Sequence, residues 1–382
     1  MDSVTQFTLG ACVGVAVLGR KIGPRRAALT GGVLGTLPDL DVFLAPDDPI
    51  DAFVQHRGWT HSLFVHAALT PVFGEALRRL FKALRDQPFQ TYAAVFLCLT
   101  THALLDAMTV YGTRLFWPLF TEPVGLGSIF IIDPLYTLPL LVAMVWAFVV
   151  GSMTPRLRKA LVICFGLSTA YLGWTAIAQF WMTQRASAWL AEKKVSPDQI
   201  LASPAPFNTF LWRVIGVDSD RYFNLYMPIF GGASATTLYA YPRHLRFENC
   251  PSVSERIAQV AKFSDGYYTI MMKGNRVSVA DLRMGLTPNY AFQFVLGDIK
   301  SGKLVAGQPR RIDGRGDVKQ DFGWLVANIQ NRPETRPAEA AAQIDLNAYS
   351  MSNAEYKVRS GGACRSLALP LSPRALAGIS TS

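Results

Sequence analysis

The sequence predicts a mainly α polytopic membrane domain of about six segments, some of them re-entrant, followed by a small α+β, sheet-rich extramembrane domain. Three observations point there. Half of the 382 residues are hydrophobic, yet the apolar residues concentrate before about residue 185. Lys and Arg fall in short clusters between those apolar runs. Beyond Ala188, β-branched and aromatic residues form short stretches bounded by turn residues. The formal charge of +10 raises nucleic acid as a partner, but no basic stripe interleaved with aromatics runs through the chain, so none is expected.

Residues 4–19 form the first apolar run, followed by Arg20, Lys21, Arg25 and Arg26. Asp2, with no basic stretch before the run, argues against a cleaved signal peptide, so the run is expected to stay in the fold. Residues 27–45 are apolar again and carry Pro38-Asp39-Leu40-Asp41 near their far end. An acidic loop with Asp47, Asp48 and Asp51 leads to His56, and a third apolar run, 62–77, precedes Arg78, Arg79, Lys82 and Arg85. The fourth run is 91–107, the fifth 129–153 and the sixth 160–182. Only the last two reach the roughly 20 residues a helix needs to cross a bilayer. Pro134 and Pro139 are expected to kink the fifth, and Phe180-Trp181 suits a membrane interface.

The loops after the first, third and fifth runs hold four, four and three Lys or Arg, while the opposite loops hold chiefly Arg57 and Arg114. By the positive-inside rule the start of the chain and everything after Arg185 face outward, the periplasmic side of an inner membrane if the source is bacterial. The expected domains are a membrane domain over 1–185, an antiparallel β-rich domain over 186–332 and a mobile tail over 333–382. In the second, a polar helix near 185–194 leads to linker-like Ser203-Pro204-Ala205-Pro206-Phe207-Asn208. Strands are expected over 221–231, 236–242, 266–273, 275–282 and 290–297, with an amphipathic helix over 320–331. Among five cysteines there is no CxxC, and Cys250 with Cys364 is the pair that could form a disulfide outside the cytosol. His244 stands alone and reads as a surface or packing residue.

Four of the five histidines, His56, His61, His66 and His102, fall within the first four runs and their loops. An ionisable group costs a few kcal/mol at about the bilayer centre, so such groups are paired, solvated or functional. His102 and Asp106, four apart, share a helix face and could bind one divalent ion, or simply bond to each other. Asp39 and Asp41 repel unless a cation lies between them or water screens them. A loop turning into a helix at Thr60 or Ser62 would bring His56 and His61 together. Arg57 is suited to a phosphate or carboxylate group, and equally to lipid phosphate. His66 sits deeper, in a packing or supporting role.

Pro38-Asp39-Leu40-Asp41, the block His56-Arg57-x-x-Thr60-His61-Ser62, Thr101-His102-x-x-x-Asp106 and Tyr111-Gly112 with Trp117-Pro118 together resemble the LexA-regulated, membrane-bound metal-dependent hydrolase family of YdjM type. The match covers roughly 8–180, and Pro206-Phe207-Asn208 with Trp212-Arg213 is similar to extended members. The resemblance implies a metal site more strongly than a reaction. The HxxxD pair is also similar to one in zinc-dependent phospholipases C.

The expected function is a membrane-bound metal-dependent hydrolase at the outer interface, acting on a lipid or lipid-linked phosphoester. The metal ligands are Asp39, Asp41, His56, His61, His102 and Asp106, around one or two divalent ions, zinc first. Asp39 or Asp41 would take a proton, and Arg57 and Arg114 would hold the anionic group. The competing expectation is a non-catalytic assembly or transport protein with a structural metal or a hydrogen-bonded polar network.

Overall fold

The computed structural model describes residues 1–231, 236–312, 314 and 316–343. Its first half is helical: α1 (Ser3–Ile22), α2 (Pro24–Thr36), α3 (Pro49–Gln55), α4 (Leu63–Leu80), α5 (Pro88–Ala107), α6 (Pro134–Val150) and α7 (Pro155–Glu192). Short 3-10 turns at Leu37–Leu44 and Trp59–His61 carry the acidic and histidine motifs. Local chemistry sets these limits. Asp2, Ser62, Asp133 and Thr154 cap α1, α4, α6 and α7, and proline opens α2, α5, α6 and α7, where its missing N–H costs nothing.

α1 is the core of the bundle, with Ala11, Val15 and Leu18 fully buried. Its contact with α2 depends on paired glycines. A Cβ on Gly10 would lie 2.3 Å from the Gly31 carbonyl oxygen, and one on Gly31 would lie 2.2 Å from that of Gly10, so the two backbones touch where side chains would separate them. Among the described residues three helical stretches are long and apolar enough to cross a membrane, Ser3–Ile22, Pro24–Leu44 and Pro155–Glu192; the fifth run, expected to be long enough, forms only the shorter helix Pro134–Val150. The expected six runs all appear as helix, but length and composition support three crossings. Val142 and Val149 on α6, and Val162, Leu167 and Ile177 on α7, leave an apolar surface that a water-soluble protein rarely presents.

The basic connections gather at one end. The Arg25 guanidinium donates to the Phe148 and Val149 carbonyls at 2.6 and 3.1 Å, tying the start of α2 to the end of α6. Gln90, in the first turn of α5, donates to the Val17 carbonyl of α1. The motif residues lie at the other end, and there the second half of the chain packs.

That half holds two four-stranded antiparallel sheets. The first runs in order β1 (Gln199–Pro204), β2 (Leu211–Val217), β3 (Arg221–Pro228) and β4 (Thr237–Pro242). α8 (Ser254–Phe263) separates it from β5 (Tyr268–Lys273) and β6 (Arg276–Asp281). A short hairpin, β7 (Gly285–Leu286) and β8 (Asn289–Tyr290), then precedes β9 (Gln293–Lys300) and β10 (Lys303–Arg311), and the second sheet has the order β10-β9-β6-β5. α9 (Val318–Ile329) comes after it.

Several boundaries differ from the sequence expectation. The residues read as a linker from Ser203 begin inside β1, whose Pro204 faces Trp212; β1 is an edge strand, where proline is tolerated. α7 runs unbroken to Glu192 across the expected boundary at 185, and its Ala178, Met182 and Trp189 pack on Trp212 and Phe223 of the first sheet. Pro337–Ala342 forms a 3-10 turn against the sheets, so the packed chain reaches into the expected tail. The rest of that tail, with Cys364, lies outside the described residues, and Cys250 is buried.

Candidate metal centre

The sequence brings the motifs together through three junctions. α2 ends where Pro38 opens the 3-10 turn, which carries Asp39 and Asp41 over the ends of α1 and α5. The loop before α4 takes a left-handed turn at Arg57 (φ 56°) and delivers His61 in the turn before Ser62 caps the helix. α5 presents His102 and Asp106 on one face.

Four of the six expected ligands meet. Asp39, His61, His102 and Asp106 each offer an atom within 4.8 Å of the others. The His61 and His102 Nε2 atoms are 3.1 Å apart. From Asp39 Oδ1 both lie at 3.4 Å, and from Asp106 Oδ2 they lie at 3.4 and 3.5 Å. Around an ion with bonds of about 2.0–2.1 Å, the edges of a ligand tetrahedron are about 3.3–3.4 Å, close to this spacing.

Hydrogen bonding explains how three of these four atoms are oriented. His102 Nδ1 lies 2.6 Å from the Gly35 carbonyl, which can only accept, so this nitrogen carries the proton, and in the neutral form of the ring the Nε2 lone pair turns inward. The Thr60 hydroxyl donates to Asp41 Oδ2 at 3.2 Å and accepts from His61 Nδ1 at 2.9 Å, which turns the His61 Nε2 lone pair inward too. Asp106 Oδ1 takes Gln6 Nε2 at 2.9 Å and the Met1 amino group, leaving Oδ2 for the cluster. Arg57 Nε is 3.0 Å from Asp106 Oδ2 but is not aligned to donate, and both atoms lack a hydrogen bond. With both rings neutral, two nitrogen and two carboxylate lone pairs converge on one point. A proton on one ring would let its Nε2 donate to the other at 3.1 Å, which satisfies the two nitrogens but leaves Asp106 Oδ2 without a hydrogen bond. A divalent cation fits this donor set.

The other expected ligands stand one step back. Asp41 accepts from the Arg57 backbone N–H at 2.9 Å and lies 2.8 Å from His56 Nδ1; its nearer oxygen is 3.9 Å from His61 Nδ1, the nitrogen turned away from the cluster. Asp41 and His56 thus support the loop beside the centre, and the geometry gathers one four-atom group among the described residues. His66 Nε2 lies 2.9 Å from the Thr60 carbonyl and fixes the same turn.

Arg57 is 4% exposed, donates to Thr109 Oγ1 at 3.0 Å and stacks 5.1 Å from the Tyr111 ring centroid. Burial raises the pKa of the Tyr111 phenol, which stays neutral and donates to the Phe53 carbonyl. Arg114 lies outside the cluster and lines a neighbouring cavity.

Gln6, Gly35 and Thr60 hold Asp106, His102 and His61 in place, roles the sequence does not assign them. Thr60 sits inside the histidine motif and Gln6 is a polar residue in the first apolar run, which were the available signals; nothing in the sequence marks the Gly35 carbonyl. The sheets close over this end of the bundle. Arg256 of α8 pairs with Asp48 and Asp51, each at 3.0 Å, and Phe53 of α3 packs 4.5 and 5.4 Å from Phe292 and Phe294.

Residues 1–182 match the family described as YdjM inner membrane protein. No curated protein and no solved structure matches the chain.

Proposed function

We propose, from the premise that residues 1–182 place the chain in the YdjM inner membrane protein family, that it is a metal-dependent hydrolase working at the outer face of the membrane on a lipid or lipid-linked phosphoester. Asp39, His61, His102 and Asp106 hold one divalent ion. The observation that carries this reading is the convergence of four lone-pair donors, with Asp106 Oδ2 buried and without a hydrogen bond. When bound, such an ion supplies Lewis acidity and acidifies water at the site. Around it, Asp41 and Thr60 orient His61, Gly35 orients His102, and Arg57 offsets the second carboxylate. Asp39, 21% exposed at its side chain, is the ligand on the open side and the candidate to take a proton.

Zinc with four protein ligands is closed, whereas an ion that takes six ligands keeps two positions for water or substrate. Four protein groups at close to tetrahedral spacing favour a second reading, in which the ion ties the turn after α2, the His61 turn and α5 together without catalysis. Hydrolysis of a chromogenic phosphoester by the purified chain, loaded in turn with zinc, manganese and cobalt, separates the two. Metal-dependent turnover lost in Asp39→Asn supports the hydrolase. Metal bound with no turnover under any ion supports the structural role.

The six-crossing topology with the sheets outside rests on the basic connections at the opposite end. A reporter fused after Arg185 that is active only in the cytoplasm would overturn that orientation.

A further inference from the structure

The cavity beside the metal centre, about 590 Å³, is walled on one side by the helical half, with Asp41, His56 and Arg114, and on the other by the sheets, with Phe292 and Arg311. Its size is that of a small-molecule site. Among its lining residues the only carboxylate is Asp41, whose oxygens are taken by His56, Thr60 and the Arg57 backbone. Arg114 forms no ion pair among the described residues, and its Nε is buried without a partner. Arg311 bonds only to the Ala291 carbonyl and lies 4.6 Å from the Phe292 ring, so its charge is not neutralised by a described carboxylate. Such a space is electropositive and suits an anion.

A second cavity, about 400 Å³, adjoins the first and shares Tyr111, Phe292 and Arg311 with it. Val110, Ile131, Pro206 and Leu286 give it an apolar wall, while Arg283, paired with Asp281, and Arg213, bonded to Asn224, also line it. At the mouth of the first cavity Leu44 and Trp59 are 69% and 48% exposed, an apolar rim on the segment after α2.

We infer that the sheets supply half of a binding chamber for an anionic amphiphile. Its phosphate or carboxylate group lies in the cavity lined by Arg114 and Arg311, and its apolar chain lies in the adjoining one. This deepens the hydrolase reading by giving its substrate a binding chamber shared with the sheets, and it rests on that reading only for the chemistry after binding. Arg311 is then a specificity-determining residue contributed from outside the family-matched region.

The test uses the full chain in phosphatidylcholine nanodiscs, with empty nanodiscs as the reference, and titrates dodecyl phosphate, dodecanoate, butyl phosphate and inorganic phosphate by calorimetry. Dodecyl phosphate is expected to bind at least about tenfold more tightly than butyl or inorganic phosphate, since a longer chain buries more apolar surface. Arg311→Gln should weaken dodecyl phosphate by about tenfold, the size of a lost charge-assisted hydrogen bond, while Arg311→Lys retains most of the binding. His102→Ala should lose metal and keep the amphiphile, so failure of the metal centre and failure of the chamber are told apart. Equal binding of butyl and dodecyl phosphate overturns the inference, as does an unchanged affinity in Arg311→Gln. Loss of binding in His102→Ala alone would put the anion on the metal centre and overturn it as well. Dodecanoate distinguishes the headgroup: equal affinity assigns any anionic amphiphile, and preference for the phosphate assigns a phospholipid-like ligand.

Discussion

Two buried polar clusters, one in the helical bundle and one between the sheets, solve the same problem in opposite ways. In the sheets Glu339 is 1% exposed, and both of its oxygens are matched: one accepts from Asn224 Nδ2 and the Tyr241 hydroxyl at 2.7 and 2.9 Å, the other from the Tyr226 hydroxyl and Arg336 Nη1 at 2.7 and 3.2 Å. Arg336 is itself held by Asp321 at 2.8 and 2.9 Å. Every buried charge there has a protein partner. In the bundle, Asp39, His61, His102 and Asp106 face one another, hydrogen bonds to Thr60, Gly35 and Gln6 hold the last three in that position, and Asp106 Oδ2 is left without a donor. One cluster is complete as a polypeptide; the other gathers four groups that could hold a divalent cation.

The largest effect that would sharpen this contrast is on the sheet side. Glu339→Ala leaves Arg336 with an incomplete pairing and three donors without an acceptor, and should cost about 3–5 kcal/mol, read as a lower denaturation midpoint with metal content unchanged. Next comes chelation. Removing an ion present at about a hundred times its Kd withdraws about 2.7 kcal/mol, so EDTA should lower the melting temperature of the wild type and of Glu339→Ala, and leave His102→Ala unmoved. Equal EDTA sensitivity in His102→Ala would break the contrast. Asp41→Asn, which weakens the support of His61 without removing a ligand atom, should lower metal affinity by about 10–100-fold while the chain stays folded. An unchanged affinity would show that Asp41 does not act through His61.

The smallest effect concerns pH. Burial, with the Arg246 guanidinium adding to it, lowers the pKa of the His244 imidazole. A histidine depressed in the fold favours the neutral form, so its contribution to stability is present above the unfolded value of about 6.5 and is lost as pH falls below it. His244→Asn, which tolerates the positive φ of 51° there, should flatten the loss of stability between about pH 7 and pH 5.

Much of the bundle was readable because its cues are local. Apolar runs, capping residues and basic connections lie within a few positions of the structure they set, and the three polar motifs contained all four cluster residues. Which of the six candidates meet was not readable, because that depends on ring orientation, fixed by the Gly35 carbonyl and the Thr60 hydroxyl, the former far from His102 in sequence. The sheets were read in part. β3 to β6 and β9 carry β-branched or aromatic residues, whereas β1 contains Ser203 and Pro204, and β10 contains Gly307, Gln308 and Pro309, residues that signal turns. The Glu339 cluster was missed because its residues lie in an Ala- and Pro-rich stretch with no period, and their partners come from strands and loops far away in sequence.

The central claim, that the bundle cluster is built for a cation, is tested most directly by elemental analysis of the purified chain by inductively coupled plasma mass spectrometry. About one divalent ion per chain is expected in the wild type and in Glu339→Ala, and close to none in the His102→Ala, Asp106→Ala double variant. Wild-type protein without stoichiometric metal after purification free of chelator, or a double variant that binds as much as the wild type, would contradict it.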